Sequence, residues 1–191
     1  VGAGRYVLFV GGLGAEKCAL RLVEAVRGLA TDMKCVIVGD AAYAEEYKAQ
    51  LRAAAGGDPR VVFTGYVFGK GYHELGSNAA IFVESSGVGG THPALVEAMA
   101  HGSCTVVNDT PENLETIGDA GFSYSGAAGA GALRDVLQRL LDDAALRQAY
   151  AAKARARANT VYTWEAVTDE YERLFYAVLK RPLPARLQPG G

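Results

Sequence analysis

Short runs of apolar and β-branched residues recur along the chain: YVLFV (6–10), KCVIV (34–38), RVVFT (60–64), AAIFV (79–83), CTVV (104–107) and a weaker GFSY (121–124). Each is four or five residues long and apolar at nearly every position, which predicts strands buried on both faces. Helical patterns fill the intervals. Residues 16–30 carry Ala19, Leu22, Val23, Val26 and Leu29 on one stripe, and 44–55, 71–79 and 92–102 follow. Strict alternation predicts an α/β fold, a Rossmann-like open parallel sheet of about six strands with helices on both faces. Beyond Gly126 the pattern is wholly helical, over 129–142, 144–158 and 163–180, with Thr163 able to cap the last. The closing RPLPARLQPGG holds three prolines and reads as irregular. With no internal repeat and no Gly/Ser linker, residues 1–160 form one Rossmann-like domain, and 161–191 a C-terminal helix and tail.

Composition narrows the partners. A hydrophobic fraction of 50% with 21% charged residues is that of an ordinary globular domain, so disorder of the whole chain is excluded. Nineteen basic and twenty-one acidic side chains give a formal charge of −2, and no block of like charges could track a nucleic-acid backbone. No apolar run approaches the ~20 residues of a membrane span. Cys18, Cys35 and Cys104 are odd in number and far apart, and read as buried thiols in a reducing compartment. That pattern predicts a cytoplasmic protein, with a role at the inner membrane face left open. The start, VGAGRYVLFVGG, lacks Met and stands close to a core strand, as in a piece of a longer protein.

In an open parallel sheet, ligands bind outside the carboxyl ends of the strands. That rule singles out the loops at 11–17, 39–43, 65–70, 84–92 and 108–113. The first, GGLGAEK, brings Gly11, Gly12 and Lys17 to the start of a helix, where exposed N–H groups and an ammonium suit a phosphate; the alternative is a plain turn with a solvated Lys. It matches neither the G-x-G-x-x-G fingerprint nor the P-loop, which disfavours NAD and ATP. In the fourth loop, Pro93 fits the first helical position, with Thr91 or His92 as cap. Gly89 and Gly90 let backbone approach a bound anion, unless they only turn the chain. Glu97, among Leu95, Val96, Ala98 and Met99, either points to solvent or accepts hydrogen bonds from ligand hydroxyls. His92 has an equal reading as a cap or surface imidazole, His73 and His101 read as structural, and no Cys/His cluster has metal-ligand spacing.

Taken together, FVGGLGAEKCALRLVEAVRGL, KCVIVGD, RVVFTGYV, HELGSNAAIFVESS, HPALVEAMAHG and ENLETIGDAG resemble, in order and spacing, the nucleotide-sugar-binding C-terminal domain of retaining GT-B glycosyltransferases of family 4. The resemblance runs from about Tyr6 to Tyr124, and YTWEAVTDEYERLFYAVL resembles that family's last helix. It implies that Lys17 is the diphosphate-binding Lys and that Glu97 is the second of two paired glutamates, binding the ribose. The segment 89–94 then holds donor sugar and phosphates, with Thr91, His92 and Ala94 offering N–H groups; Tyr66 and Val67 lie where the family holds the base, largely through backbone groups, and Gly39 is a further substrate-binding residue. Gly12 replaces the family's usual Arg, and Gly89 replaces its first glutamate, a GGT-[HN]-P loop shared with a rhamnosyltransferase-like branch. Glu84 is out of register with that lost glutamate and does not replace it.

The function this predicts is the donor half of a glycosyltransferase acting with retention on a nucleotide diphosphate sugar, with no cofactor and no metal. The acceptor and any catalytic contact come from an N-terminal domain, so the chain alone is expected to be inactive. Two other readings share the plan: an epimerase or phosphorylase, and a degenerate scaffold that Gly12 and Gly89 would motivate.

Overall fold

The computed structural model describes residues 1–188; the last three residues of the proline-rich tail lie outside them. Six strands, β1 (Tyr6–Val10), β2 (Lys34–Val38), β3 (Val61–Gly65), β4 (Ile81–Glu84), β5 (Cys104–Asn108) and β6 (Phe122–Tyr124), form one sheet in the order β3-β2-β1-β4-β5-β6. Every pairing is parallel, with Val7 opposite both Cys35 and Ile81. The order reverses between β1 and β4, so the loops after these two strands diverge and leave a crevice at their carboxyl ends.

Alternation along the strands explains why both faces are covered. In β1, Val7 and Phe9 join one core with Leu22, Val23 and Val26, Leu51, and Leu133, Leu137 and Leu140. Tyr6 and Leu8 point the other way, into a second core with Phe82, Leu95, Met99, Ile117 and Ala154. The first face is made by helices α1 (Ala19–Arg27), α2 (Glu45–Ala55) and α6 (Gly129–Asp142), the second by α4 (Pro93–His101), α5 (Pro111–Ile117) and α7 (Ala144–Val161). Arginines of α7 close the neighbouring helix ends: Arg155 donates to the His101 carbonyl at 2.6 Å, and Arg157 to those of Thr116 and Glu115 at 2.8 and 2.7 Å.

Four expectations need correction. The stripe over 16–30 is not one helix: Ala15–Lys17 is a 3₁₀ turn, and Cys18 breaks it from α1 with φ 52. Cys18 is accordingly half-buried at a junction, while Cys35 and Cys104 are buried in strands. β3 is an edge strand, and its side chains are mostly half-exposed instead of buried on both faces. Within 108–113, expected as loop, Thr110 caps the start of α5, which is too short to show a periodic stripe.

Helices α3 (Gly69–Ser77) and α8 (Trp164–Val178) complete the chain. Thr163 caps α8 as expected, its hydroxyl accepting the Ala166 N–H at 3.1 Å. α8 contains no buried residue, and Arg186 of a short 3₁₀ turn in the tail, Ala185–Leu187, pairs with its Asp169 and Glu172. No helix of the described residues is long and apolar enough to cross a membrane.

Candidate functional site

The loops at the carboxyl edge are joined to one another by backbone. Gly11 N–H donates to the Val38 carbonyl at 3.0 Å, Leu13 N–H to that of Asp40 at 3.3 Å, and Gly39 N–H to that of Gly65 at 2.9 Å. Gly39 makes this possible: its φ is 126, and a Cβ there would stand 1.9 Å from the Gly11 carbonyl oxygen. Only glycine fits. Asp40 is fixed in turn by the Ala41 N–H at 2.7 Å and the buried Lys48 ammonium at 2.8 Å, and that bonding holds its carboxyl below the usual carboxylate range.

Above this floor lies an open cleft of about 480 Å³. Val10, Gly11 and Gly12 line it from the first loop, Val38 and Gly39 from the second, and Tyr66, Val67 and Phe68 from the third. Tyr72 of α3 and Pro93, Ala94 and Glu97 of α4 form the remaining wall. Tyr66 and Phe68 are 60% and 79% exposed, with rings nearly parallel and centroids 5.9 Å apart, an apolar platform at the cleft's rim. Seven of the residues singled out in the sequence therefore meet here: Gly11, Gly12, Gly39, Tyr66, Val67, Ala94 and Glu97.

Lys17, Gly89, Gly90, Thr91 and His92 do not line the cleft and form the adjoining segment. The Ser85 hydroxyl donates to the Lys17 carbonyl at 2.8 Å, and Gly87 N–H to that of Glu16 at 3.0 Å, so the turn carrying Lys17 is tied to the loop that leads to α4. His92 takes the cap position of α4 through its backbone, and its side chain makes no capping bond. Its carbonyl accepts from Leu95 and Val96, while the N–H groups of Thr91, His92 and Ala94 donate to no protein atom among the described residues. Free donors at the positive end of a helix favour an anion. The His92 ring folds back over Gly89, where a Cβ would stand 2.8 Å from its Cε1.

Sequence reasoning missed Tyr72 and set Glu84 aside. Tyr72 donates its hydroxyl hydrogen bond to Glu97 Oε2 across the cleft wall, and burial, then that hydrogen bond and the Glu97 charge, hold the phenol well above its ordinary value. Nothing in the sequence links two residues on different helices. Glu84 ends β4 with only 4% exposure, accepting the Ser86 N–H at 3.0 Å. Burial pushes its carboxyl up, against the opposing pull of His92, the Ser86 N–H and Lys17. A buried carboxylate at the end of an apolar run was legible as an exception to the pattern, but its depth was not. His101 is placed structurally, with Nδ1 3.1 Å from the Ser77 hydroxyl and its ring against His73. No group of three or more His, Cys, Asp or Glu among the described residues is arranged to hold a metal ion.

Comparison with known proteins gives this geometry a setting. The profile of the family described as glycosyl transferases group 1 matches residues 4–143. No curated protein matches the chain. Among solved structures, sucrose-phosphate synthase from Thermosynechococcus elongatus aligns with a TM-score of 0.80 at 21% identity, over 94% of this chain and 47% of that one. Anabaena HepE in complex with UDP aligns with a TM-score of 0.81 at 19% identity, over 91% and 49%. The chain thus spans about half the length of each. The C-terminal domain of a glycosyl transferase group 1 family protein, LpcC, from Francisella tularensis aligns at 0.72 and 21% identity, over 85% of this chain and 88% of that one. These likenesses carry the fold, that of half a GT-B protein, while the profile covers most of the chain and all six strands. The chain belongs to the glycosyl transferases group 1 family.

Proposed function

We propose that the chain is the donor-binding half of a family 4 glycosyltransferase that moves a sugar from a nucleotide diphosphate to an acceptor with retention of configuration. The observation that carries the reading is the cleft itself: backbone from three glycine-bearing loops, an aromatic rim and the Glu97 carboxylate surround a space of about 480 Å³ beside the free N–H groups of α4. The base occupies the Tyr66–Val67 side, Glu97 accepts from the ribose hydroxyls, and Gly12 and Lys17 flank the diphosphate. As the bond from the anomeric carbon to the phosphate breaks, negative charge grows on the departing diphosphate. Lys17 and the N–H groups of Thr91, His92 and Ala94 stabilise that charge more than they stabilise the bound donor, which is the condition for catalysis. UDP in the HepE structure supports a nucleotide at this edge, and the GGTHP loop supports the rhamnosyltransferase-like branch.

The acceptor and any remaining catalytic contact belong to an N-terminal domain, against which α8 and the tail from 161 onward pack, leaving the isolated chain inactive. Support comes from α8, where Trp164, Leu174, Phe175 and Val178 are all more than half exposed. Buried free thiols at Cys35 and Cys104 suit a cytoplasmic location. Calorimetric titration of the chain with UDP, GDP and dTDP tests the donor site. At least one binds, and Lys17→Ala and Glu97→Ala each weaken it by roughly tenfold, the scale of a hydrogen bond to a charged group. Absence of binding by all three, or variants indistinguishable from the parent, overturns the proposal.

A further inference from the structure

We infer that Tyr72 is a positioning residue for Glu97, and that its hydroxyl sets how strongly the cleft discriminates a ribose from a sugar lacking its hydroxyls. The inference rests on the reading of Glu97 as the ribose acceptor. Glu97 is exposed on α4, and among the described residues its carboxylate has one partner, the Tyr72 hydroxyl from α3. An unrestrained glutamate in that position would spread over several rotamers and lose freedom on meeting a ligand. The Tyr72 hydrogen bond fixes it beforehand. Both side chains line the cleft, so the contact lies in its wall and not behind it.

The chemistry of the pair is one-directional. The phenol is held above its ordinary value by burial and by its hydrogen bond to the neighbouring carboxylate, so it keeps its proton and remains a donor at neutral pH. It takes one acceptor position on Oε2 and leaves Oε1, with the rest of Oε2, without a protein partner among the described residues. A ribose diol needs an acceptor that is already aimed, and Tyr72 supplies the aim. The alternative is that Tyr72 merely joins α3 to α4, in which case its hydroxyl would affect every ligand equally.

The test uses the 191-residue chain and whichever of the ribonucleotides UDP and GDP binds more tightly, beside the 2′,3′-dideoxy form of the same nucleotide. Dissociation constants are measured for the parent, Tyr72→Phe, Glu97→Ala and the double variant, with thermal unfolding of each. The parent prefers the hydroxylated nucleotide by roughly tenfold, and Glu97→Ala removes the preference. Tyr72→Phe weakens the hydroxylated ligand by roughly three- to tenfold and leaves the dideoxy ligand unchanged. In the Glu97→Ala background it does nothing further. If Tyr72→Phe keeps the parent's preference, or weakens both ligands alike, the positioning role falls while the reading of Glu97 stands. If Glu97→Ala itself keeps the preference, or no nucleotide binds, both fall together.

Discussion

Gly12 and Gly89, the two positions where the proposed family 4 reading expects an Arg and a Glu, are physically unlike. A Cβ on Gly12 would meet nothing closer than the Asp40 carbonyl oxygen at 3.9 Å, so the position is open and on the cleft. Gly12→Arg should therefore fold normally and add a bidentate phosphate partner, tightening nucleotide diphosphate binding by roughly tenfold in a titration, with unchanged Tm. Weaker binding would mean that the diphosphate does not pass Gly12. Gly89 has φ 127 and the His92 ring against it, so restoring a glutamate there strains the backbone and displaces His92. Gly89→Glu should lower Tm and weaken binding, and a gain in either would show that the loop has a second accessible conformation. As letters in a sequence the two substitutions look equivalent, because a glycine's φ and neighbours are set by residues elsewhere in the chain.

At the scale of elements, the strands and their parallel arrangement were legible because burial on both faces leaves an unbroken apolar run, and parallel strands need helices between them. What the pattern could not supply was the part decided by packing between elements. β3 has the same composition as its neighbours but no strand beyond it, and α5 is marked by a cap and a Pro alone. The Gly-rich first loop was found, yet the 3₁₀ turn and the φ of Cys18 that separate Lys17 from α1 were not. The meeting of Tyr66, Phe68, Tyr72 and Glu97 likewise depends on how α3 lies against α4. Loop-to-loop contact gives a prediction at this scale. Gly39→Ala forces Gly11 away, because the contact at 1.9 Å is with backbone and has no flexible end to yield. It should cost on the order of 3 kcal/mol of stability and weaken nucleotide binding with it, measured by denaturant unfolding and titration. A neutral result would mean that the loop after β1 is free to move.

For the whole molecule, the sheet divides the interior into two cores whose side chains alternate along β1, β2, β4 and β5, and the candidate site sits where the sheet's order reverses. Burial at that reversal has a consequence for stability as a function of pH. Glu84 lies beneath the loop leading to α4, and its folded carboxyl titrates above its unfolded value because burial disfavours the charge. A carboxyl raised in this way contributes stability below its unfolded pKa, and loses that contribution as pH climbs through the folded value. Asp40 and Asp58 act in the opposite sense, held low by Lys48 and Arg60, and their contribution is lost as pH falls. Glu84→Gln keeps an oxygen for the Ser86 N–H and removes the buried charge, so it should raise Tm more at about pH 8 than at about pH 4, where an unfolded glutamate is mostly protonated. A gain independent of pH would place the effect in packing. A loss at pH 8 would show instead that Lys17 and His92 hold the ionised carboxylate favourably, making Glu84 part of the charge balance of the anion site and not a cost beneath it.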